Sequence, residues 1–423
     1  MRSYLAATLL FSCAALVAQD VRPKDVRDIG KGGVSAIPRL QQLLQNPNRD
    51  IRIEAVKQIT AIGTQHSLDP LIAATKDADP DVQIRAIDGL VNFYLPGYVQ
   101  SGFGGSIKRV GSGIKGHFTD TDDQIIPAYV TVRPEVIAAL GSVASKDGST
   151  DARADACRAI GILRGRDAIP DLLQAAHSKN SDVIFESLIA LQKIRDESAG
   201  PKIEFLFHDL DSRVQGTALE TAGLLRDMSA VPSISDVLNR ARNIQVKRSA
   251  LTALAMLPAD TSRPIYQQYL RDKDDRLRAA AAEGFGRLHN PADLPTLEKA
   301  WQDETKIPPR LSLAFAQVML GKTELSEFSP LQYLINNLDS AAYKGEAFPF
   351  LVELARDAKV RQALYPTLAS GTKDEKIGLA GVLARSGDQS SLAPLQKLTS
   401  DPDGDVSKEA LRAVRVLQAR LPG

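Results

Sequence analysis

Residues 79–90 read DPDVQIRAIDGL, and the same arrangement returns as DARADACRAIGILRG at residues 151–165 and DDRLRAAAAEGFGRL at residues 274–288. In each stretch an anchor residue near the start is followed four positions later by alanine and five positions later by an apolar residue. Residues with this spacing share one face of an α-helix, so the pattern predicts an amphipathic helix, which we call helix B.

Eight copies of this pattern align along the chain. A small residue follows every anchor by four positions, which would let neighbouring helices approach closely. The anchors are Ile51, Val82, Ala152, Val183, Val214, Val246, Leu277 and Val406; the small residues are Ala55, Ala86, Ala156, Ser187, Ala218, Ala250, Ala281 and Ala410; the residues that follow them are Val56, Ile87, Cys157, Leu188, Leu219, Leu251, Ala282 and Leu411.

Prolines repeat with a matching period. Pro170, Pro201, Pro232, Pro264 and Pro295 are separated by 31, 31, 32 and 31 residues. Proline is favoured in the first turn of a helix, so these prolines predict the start of a second helix, helix A, in each unit. Further prolines extend the series in both directions, at Pro38, Pro70, Pro134, Pro330, Pro366 and Pro394.

Aspartates stand just before several B helices and are predicted to cap them. A carboxylate at this place accepts backbone N–H groups and is favoured by the helix dipole. The predicted caps are Asp50, Asp81, Asp151, Asp182 and Asp405.

These units resemble HEAT repeats, in particular the short bacterial type called phycobilisome-lyase HEAT-like, over roughly residues 33–421. The resemblance implies an all-α, right-handed superhelical solenoid of about eleven helix pairs, with the B helices lining the concave side. Each unit of such an array contacts only its neighbours. The predicted divisions are a signal peptide at 1–18, a polar segment at 19–32, repeats 1–2 at 33–96, a Gly-rich insertion at 97–133, and repeats 3–11 at 134–421, irregular around 324–370.

The insertion interrupts the period, because Val82 and Ala152 are 70 residues apart, about 39 more than one unit. Insertions longer than ~12–15 residues are uncommon and often functional. This one carries aromatic and basic residues on a glycine-rich backbone, a combination common at interfaces. A spacer, or a loop packed on its own solenoid, is the alternative. The predicted partner-binding residues are Tyr98, Phe103, Lys108, Arg109, Lys115, His117 and Phe118.

The motifs of catalysis and cofactor binding are incomplete. Gly111 and Gly116 have P-loop spacing, but His117 and Phe118 replace the required Lys and Ser/Thr. The five histidines form no H-x-x-x-H motif and no His-Glu pair, so no metal site is predicted. Cys157 stands in an apolar column and is predicted to be a buried structural thiol. We therefore expect no catalytic residue, metal or cofactor, with a weak cation site near Asp120–Asp123 left open.

The N-terminus reads MRSYLAATLLFSCAALVAQD, one arginine before a short apolar run that ends in small residues. This is typical of a secretory signal cleaved near Ala18, and the run is short for a transmembrane span. Cys13 offers a lipoprotein alternative, but Phe11 fits that motif poorly. The expected location is therefore periplasmic or extracellular.

The near-neutral chain, with a net charge of +1, argues against general nucleic-acid binding. We expect an exported, non-enzymatic scaffold that binds a protein or peptide through its concave face and the insertion. Two alternatives stay open: an enzyme or cofactor-handling protein with a site between the insertion and the concave face, and a module that makes weak contacts with the envelope surface.

Overall fold

The computed structural model describes residues 21–99, 124–127, 129–146 and 148–421, and every regular element within them is a helix. The α-helices are α1 (Pro23–Gly30), α2 (Ile37–Leu43), α3 (Arg49–Ile62), α4 (Gln65–Ala74), α5 (Pro80–Tyr94), α6 (Pro134–Ser145), α7 (Thr150–Ile162), α8 (Ile169–Ala175), α9 (Ser181–Ile194), α10 (Ser212–Leu224), α11 (Val231–Arg240), α12 (Ile244–Met256), α13 (Arg263–Tyr269), α14 (Asp275–Arg287), α15 (Leu294–Asp303), α16 (Ile307–Met319), α17 (Pro330–Asn336), α18 (Lys344–Leu354), α19 (Ala358–Ser370), α20 (Lys373–Ser386), α21 (Leu392–Leu398) and α22 (Gly404–Arg420).

From α2 onward the helices form eleven A–B pairs, beginning with α2 and α3 and ending with α21 and α22. In the fifth pair helix A is replaced by two 3₁₀ segments, Glu197–Lys202 and Glu204–His208, which precede α10. The predicted all-α solenoid of about eleven helix pairs is confirmed.

The columns read from the sequence form the core. All eight anchors are buried, and all eight small residues of the second column are 0% exposed. The third column is buried too, except that Leu411 is 49% exposed. Leu411 lies on α22, which packs on α20 and α21 and has no later helix against it in the described residues.

Neighbouring B helices approach closely at glycines as well as packing through the buried alanine column. A Cβ atom added to Gly161 would lie 2.8 Å from the Cα atom of Ala190 in the next B helix. At Gly286 the corresponding distance, to the Cα atom of Ala316, would be 2.7 Å. The backbones of α14 and α16 therefore pack directly against each other at this position.

The predicted caps are wrong by two residues. Asp79, not Asp81, caps α5, because its carboxylate accepts from the backbone N–H groups of Asp81 at 2.9 Å and Val82 at 3.3 Å. A capping residue needs an extended backbone before the first turn, whereas Asp81 already lies within the helix. The residues that cap in place of the five predicted aspartates are Asn48, Asp79, Ser149, Asn180 and Asp403.

Three of the prolines predicted to open helix A do not. Pro366 lies inside α19, which begins eight residues earlier, where Asp357 accepts from the backbone N–H of Lys359 at 2.7 Å. Pro70 lies inside α4, and Pro201 falls within the first 3₁₀ segment of the fifth unit. The proline period therefore marks the repeat length correctly, but not every helix start.

The B helices form the inner layer of the array. Contacts between successive B helices are more extensive than those between successive A helices. Two ion pairs even skip a unit: Arg276 Nη1 lies 2.7 Å from Glu346 Oε1, and Arg287 Nη2 lies 2.8 Å from Glu353 Oε2. Both pairs join α14 to α18 across α16. No helix in the described ranges has the length and apolarity needed to cross a bilayer.

Candidate partner-binding face

The concave face is lined by the residues six positions after the anchor of each B helix. At ~100° per residue this position lies opposite the buried stripe at 0, +4, +5 and +8. We call these residues the inner stripe; in units one to eight, counting Pro309 as the anchor of α16, they are Lys57, Asp88, Arg158, Ile189, Glu220, Thr252, Glu283 and Phe315.

The first part of the inner stripe is charged and internally paired. Arg158 on α7 donates to Asp155 Oδ1 at 2.6 Å and to Glu186 Oε1 on α9 at 2.5 Å. Burial alone would lower the pKa of the Arg158 guanidinium, but the Glu186 and Asp155 carboxylates and the nearby Tyr98 phenol raise it above its ordinary value. Arg158 therefore stays charged and ties α7 to α9.

Both described ends of the insertion pack on α5 and α7. At its start, Tyr98 packs against the core, beside Arg158. At its end, Ile126 is buried and its N–H donates to the carbonyl oxygen of Ile162, the last residue of α7, at 3.0 Å. The backbone N–H of Arg133 donates to the Tyr94 hydroxyl at 3.1 Å. The insertion therefore leaves and rejoins the solenoid at the C-terminal ends of these two B helices.

Of the seven predicted partner-binding residues, Tyr98 is the one whose position is described. It is half-buried beside Arg158 and so lies next to the inner stripe. The other six lie outside the described residues, as does the segment 120–123: Phe103, Lys108, Arg109, Lys115, His117 and Phe118.

The middle of the inner stripe holds a carboxylate of a different kind. Glu220 on α10 accepts a hydrogen bond from Ser249 Oγ on α12 at 2.6 Å. Among the described residues no basic group lies within ion-pair distance of it. Burial raises the pKa of the Glu220 carboxyl, and the Ser249 hydrogen bond offsets this only in part. Its neighbours along the stripe, Ile189 and Thr252, carry no charge.

The last part of the inner stripe is covered by α18. Arg287 Nη1 lies 3.0 Å from Glu283 Oε2, and the other guanidinium edge pairs with Glu353 of α18. Burial would raise the pKa of the Glu353 carboxyl, but the charge and hydrogen bonds of Arg287 outweigh it and lower the pKa. Phe315 stacks on Phe350 of α18, with ring centroids 4.7 Å apart. This part of the concave face is therefore filled by the protein itself.

Cys157 is a structural thiol, as predicted. It is fully buried in its column, and burial, reinforced by the charge of Glu186, raises the pKa of its thiol to about 12. Such a thiol carries almost no thiolate at neutral pH and is a poor nucleophile. The described residues contain no group of three His, Cys, Asp or Glu side chains placed to hold a metal ion.

The inner stripe itself escaped the sequence analysis, although the signal for it was present. The columns at 0, +4 and +5 are uniform and so stand out. The +6 column mixes Lys, Asp, Arg, Ile, Glu, Thr and Phe and looks like ordinary surface variation. Glu220 and Glu283 stand in this column, one position after the apolar residues Leu219 and Ala282.

The sequence matches the HEAT-repeat family at residues 20–101, 137–223 and 231–316, more than half of the chain. No curated protein matches it. Among solved structures it resembles an engineered protein at 18% identity, covering 90% of this chain and 98% of that one, with a TM-score of 0.38. It also resembles YibA from E. coli at 15% identity, covering 70% and 94%, with a TM-score of 0.41. The complex of CpcE and CpcF of phycocyanin lyase from Nostoc sp. PCC7120 is 16% identical, with 60% and 94% covered and a TM-score of 0.36. On the family match and the eleven helix pairs, the chain belongs to the HEAT-repeat family.

Proposed function

We propose that this protein is an exported, non-catalytic HEAT-repeat scaffold that binds a protein or peptide partner along its concave face, with the Gly-rich insertion as a second contact. The observation that carries the proposal is the inner stripe of units one to six, whose residues make no hydrogen bond, ion pair or ring contact with α18 in the described structure, unlike units seven and eight. Extended concave surfaces of this kind are the binding surfaces that repeat solenoids use.

The position of the insertion supports its part in the proposal. Its first residues lead from α5 past Arg158, so the chain enters the insertion beside the inner stripe. A partner seated on α7 and α9 would lie within reach of residues near Tyr98. The aromatic and basic residues predicted for partner binding follow within twenty positions of Tyr98.

The concave face is tested by a pair of arginine substitutions. Ile189 is half-buried on the inner stripe of α9, and Met228 is 46% exposed in the 3₁₀ turn before α11, in the A layer. Partners captured from an envelope extract by the wild-type protein should be lost with Ile189→Arg and kept with Met228→Arg. Equal capture by both variants would refute binding through the concave face.

The insertion is tested by deleting residues 97–132. Units of a solenoid contact only their neighbours, so the helical signal in far-UV circular dichroism should be largely retained. Capture of the partner should weaken. Loss of the helical signal would show that the insertion is structural, and undiminished capture by a folded deletion variant would remove it from the proposed interface.

Export is tested separately, by expressing the full chain in a bacterial host. Intact mass of protein recovered from the periplasm or medium should correspond to a chain that begins at Gln19. A full-length protein confined to the cytoplasm would refute export and would leave the binding proposal unaffected.

A further inference from the structure

Several carboxylates on the B helices are paired with arginine side chains. Glu186 pairs with Arg158, and both Glu283 and Glu353 pair with Arg287. Glu220 has no such cation among the described residues, and its partner is the neutral hydroxyl of Ser249. Glu220 therefore differs from these three acids in having no counter-charge among the described residues.

The position of Glu220 is fixed by the packing of α10 on α12. Gly216 and Gly223, four residues before and three after Glu220, are where the helices approach closely. A Cβ atom at Gly216 would lie 2.9 Å from Ser249 Oγ, and one at Gly223 would lie 3.0 Å from the Cα atom of Ala253. This close contact brings Ser249 Oγ within hydrogen-bonding distance of the Glu220 carboxylate.

The surroundings suit a long cationic side chain. The stripe positions on either side of Glu220 are the half-buried Ile189 and the buried Thr252, and Met256 lies half-buried at the end of α12. Lysine and arginine bury their alkyl stems against apolar surface while the charged head meets an acceptor. A cation that reached Glu220 would also relieve the cost of a carboxylate removed from water without a counter-charge.

We propose that Glu220 is the recognition point for a lysine or arginine side chain of the partner, held by an ion pair in the open part of the inner stripe. The inference rests on the proposed binding function and adds the chemistry of the ligand. Hydrogen bonds between charged groups are about twice as strong as neutral ones, so one such contact can set which residue of a peptide occupies the site.

The experiment uses a library of random short peptides, selected for binding to the full-length protein. Peptides whose binding is lost with Ile189→Arg are kept, because they occupy the concave face. In these peptides each lysine or arginine is replaced in turn by norleucine, and binding is measured by calorimetry against the wild type, Glu220→Gln and Glu197→Gln. Glu197 is exposed in the same unit and provides the same change of charge away from the groove.

The expected result is one basic residue whose replacement weakens wild-type binding about tenfold or more, a loss of ~1.4 kcal/mol. With Glu220→Gln the same replacement should change binding little, while Glu197→Gln should behave as the wild type. If the loss is as large with Glu220→Gln, the ion pair is refuted and concave binding stands. If no selected peptide is sensitive to Ile189→Arg, concave binding fails and the inference fails with it.

Discussion

Replacing Arg287 by methionine should be among the most destabilising single changes in the array. The Arg287 side chain is 13% exposed and donates to Glu353 Oε1 at 2.9 Å, Glu353 Oε2 at 2.8 Å, Glu283 Oε2 at 3.0 Å and the carbonyl oxygen of Ala255 at 3.1 Å. Its guanidinium also lies over the Phe315 ring, 4.8 Å from the centroid. One side chain thus holds together four consecutive B helices, α12, α14, α16 and α18.

The magnitude follows from what the substitution leaves behind. Methionine fills much of the volume, but Glu283 and Glu353 remain in the groove without a cation. Removing one partner of a buried ion pair lowers the free energy of unfolding by ~3–5 kcal/mol, because the other charge is left buried without compensation. Removing the charges as well, in the triple variant Glu283→Gln, Arg287→Met, Glu353→Gln, should restore the free energy of unfolding to within about 1–2 kcal/mol of the wild type, since neutral replacements of buried pairs are often tolerated.

The stability lost with Arg287→Met should be larger at high pH than at low pH. The folded pKa of Glu353 lies below its ordinary value of 4.5, so its stabilisation is present above that pH and is lost as pH falls through the folded value. Burial already raises the pKa of Glu283 in the native protein, and Arg287 opposes this; without Arg287 the pKa of Glu283 should rise further and that of Glu353 should rise as well. The loss in free energy of unfolding caused by Arg287→Met should therefore be largest at pH 8. It should become smaller as the pH is lowered and the two carboxyl groups are protonated.

The assay is urea denaturation followed by circular dichroism at pH 8 and pH 5, with hydrogen exchange of α14 and α18. Arg276→Met is the matched control, because Arg276 joins the same two helices but is more exposed, at 24% of its side chain, and its loss should cost about 1 kcal/mol or less. A loss below about 1 kcal/mol for Arg287→Met, or equal losses at the two pH values, would refute the reasoning.

Three further outcomes are expected. Glu220→Gln should raise the melting temperature at pH 8 and not at pH 4, because the raised folded pKa of Glu220 makes its ionisation destabilising as pH rises through that value; an equal gain at both pH values would contradict this. In a Cys13→Ser background, Cys157 should resist Ellman's reagent at pH 8 until denaturant is added, since its thiol pKa is about 12, and rapid labelling of the native protein would show that it is accessible. Gly286→Ala should lower the free energy of unfolding by about 1–3 kcal/mol through its clash with α16, whereas Gly345→Ala, in open space on α18, should raise it by about 0.5–1 kcal/mol; urea denaturation of both tests the contrast.

The fold was predictable because the same spacing of buried residues recurs in each repeat. Burial columns at 0, +4 and +5 depend only on the helical period and on the presence of a next unit. The column fails at Leu411, on the last helix of the described residues. The caps were misplaced because the sequence offers two aspartates two residues apart, Asp79 and Asp81, and only the backbone conformation decides which one accepts.

The candidate binding surface was less predictable because it depends on pairs of residues from different units. Ser249 and Glu220 lie 29 residues apart, and each alone is an unremarkable polar residue of a helix. Their meeting requires the register between α10 and α12, which Gly216 and Gly223 set by letting the backbones approach. For the insertion the difficulty is different. Its composition predicts binding, but of the seven predicted residues only Tyr98 lies within the described structure.

The ion pairs that join α14 to α18 divide the concave face into two parts that differ in how their charges are paired. Arg276 and Arg287 reach from α14 over α16 to α18, so the acids there are already satisfied by the chain and the stripe is closed by Phe350. Before α14, no hydrogen bond, ion pair or ring contact among the described residues joins the stripe to α18, and Arg158 pairs with Asp155 of its own helix and with Glu186 of the next one. Glu220, on α10, falls in this open part, two units before the closed part begins at α14. In the covered part, a carboxylate without a cation would destabilise the fold, because no partner could reach it. In the open part, a cation of a partner can neutralise it. A ligand should therefore be sought first between α9 and α12.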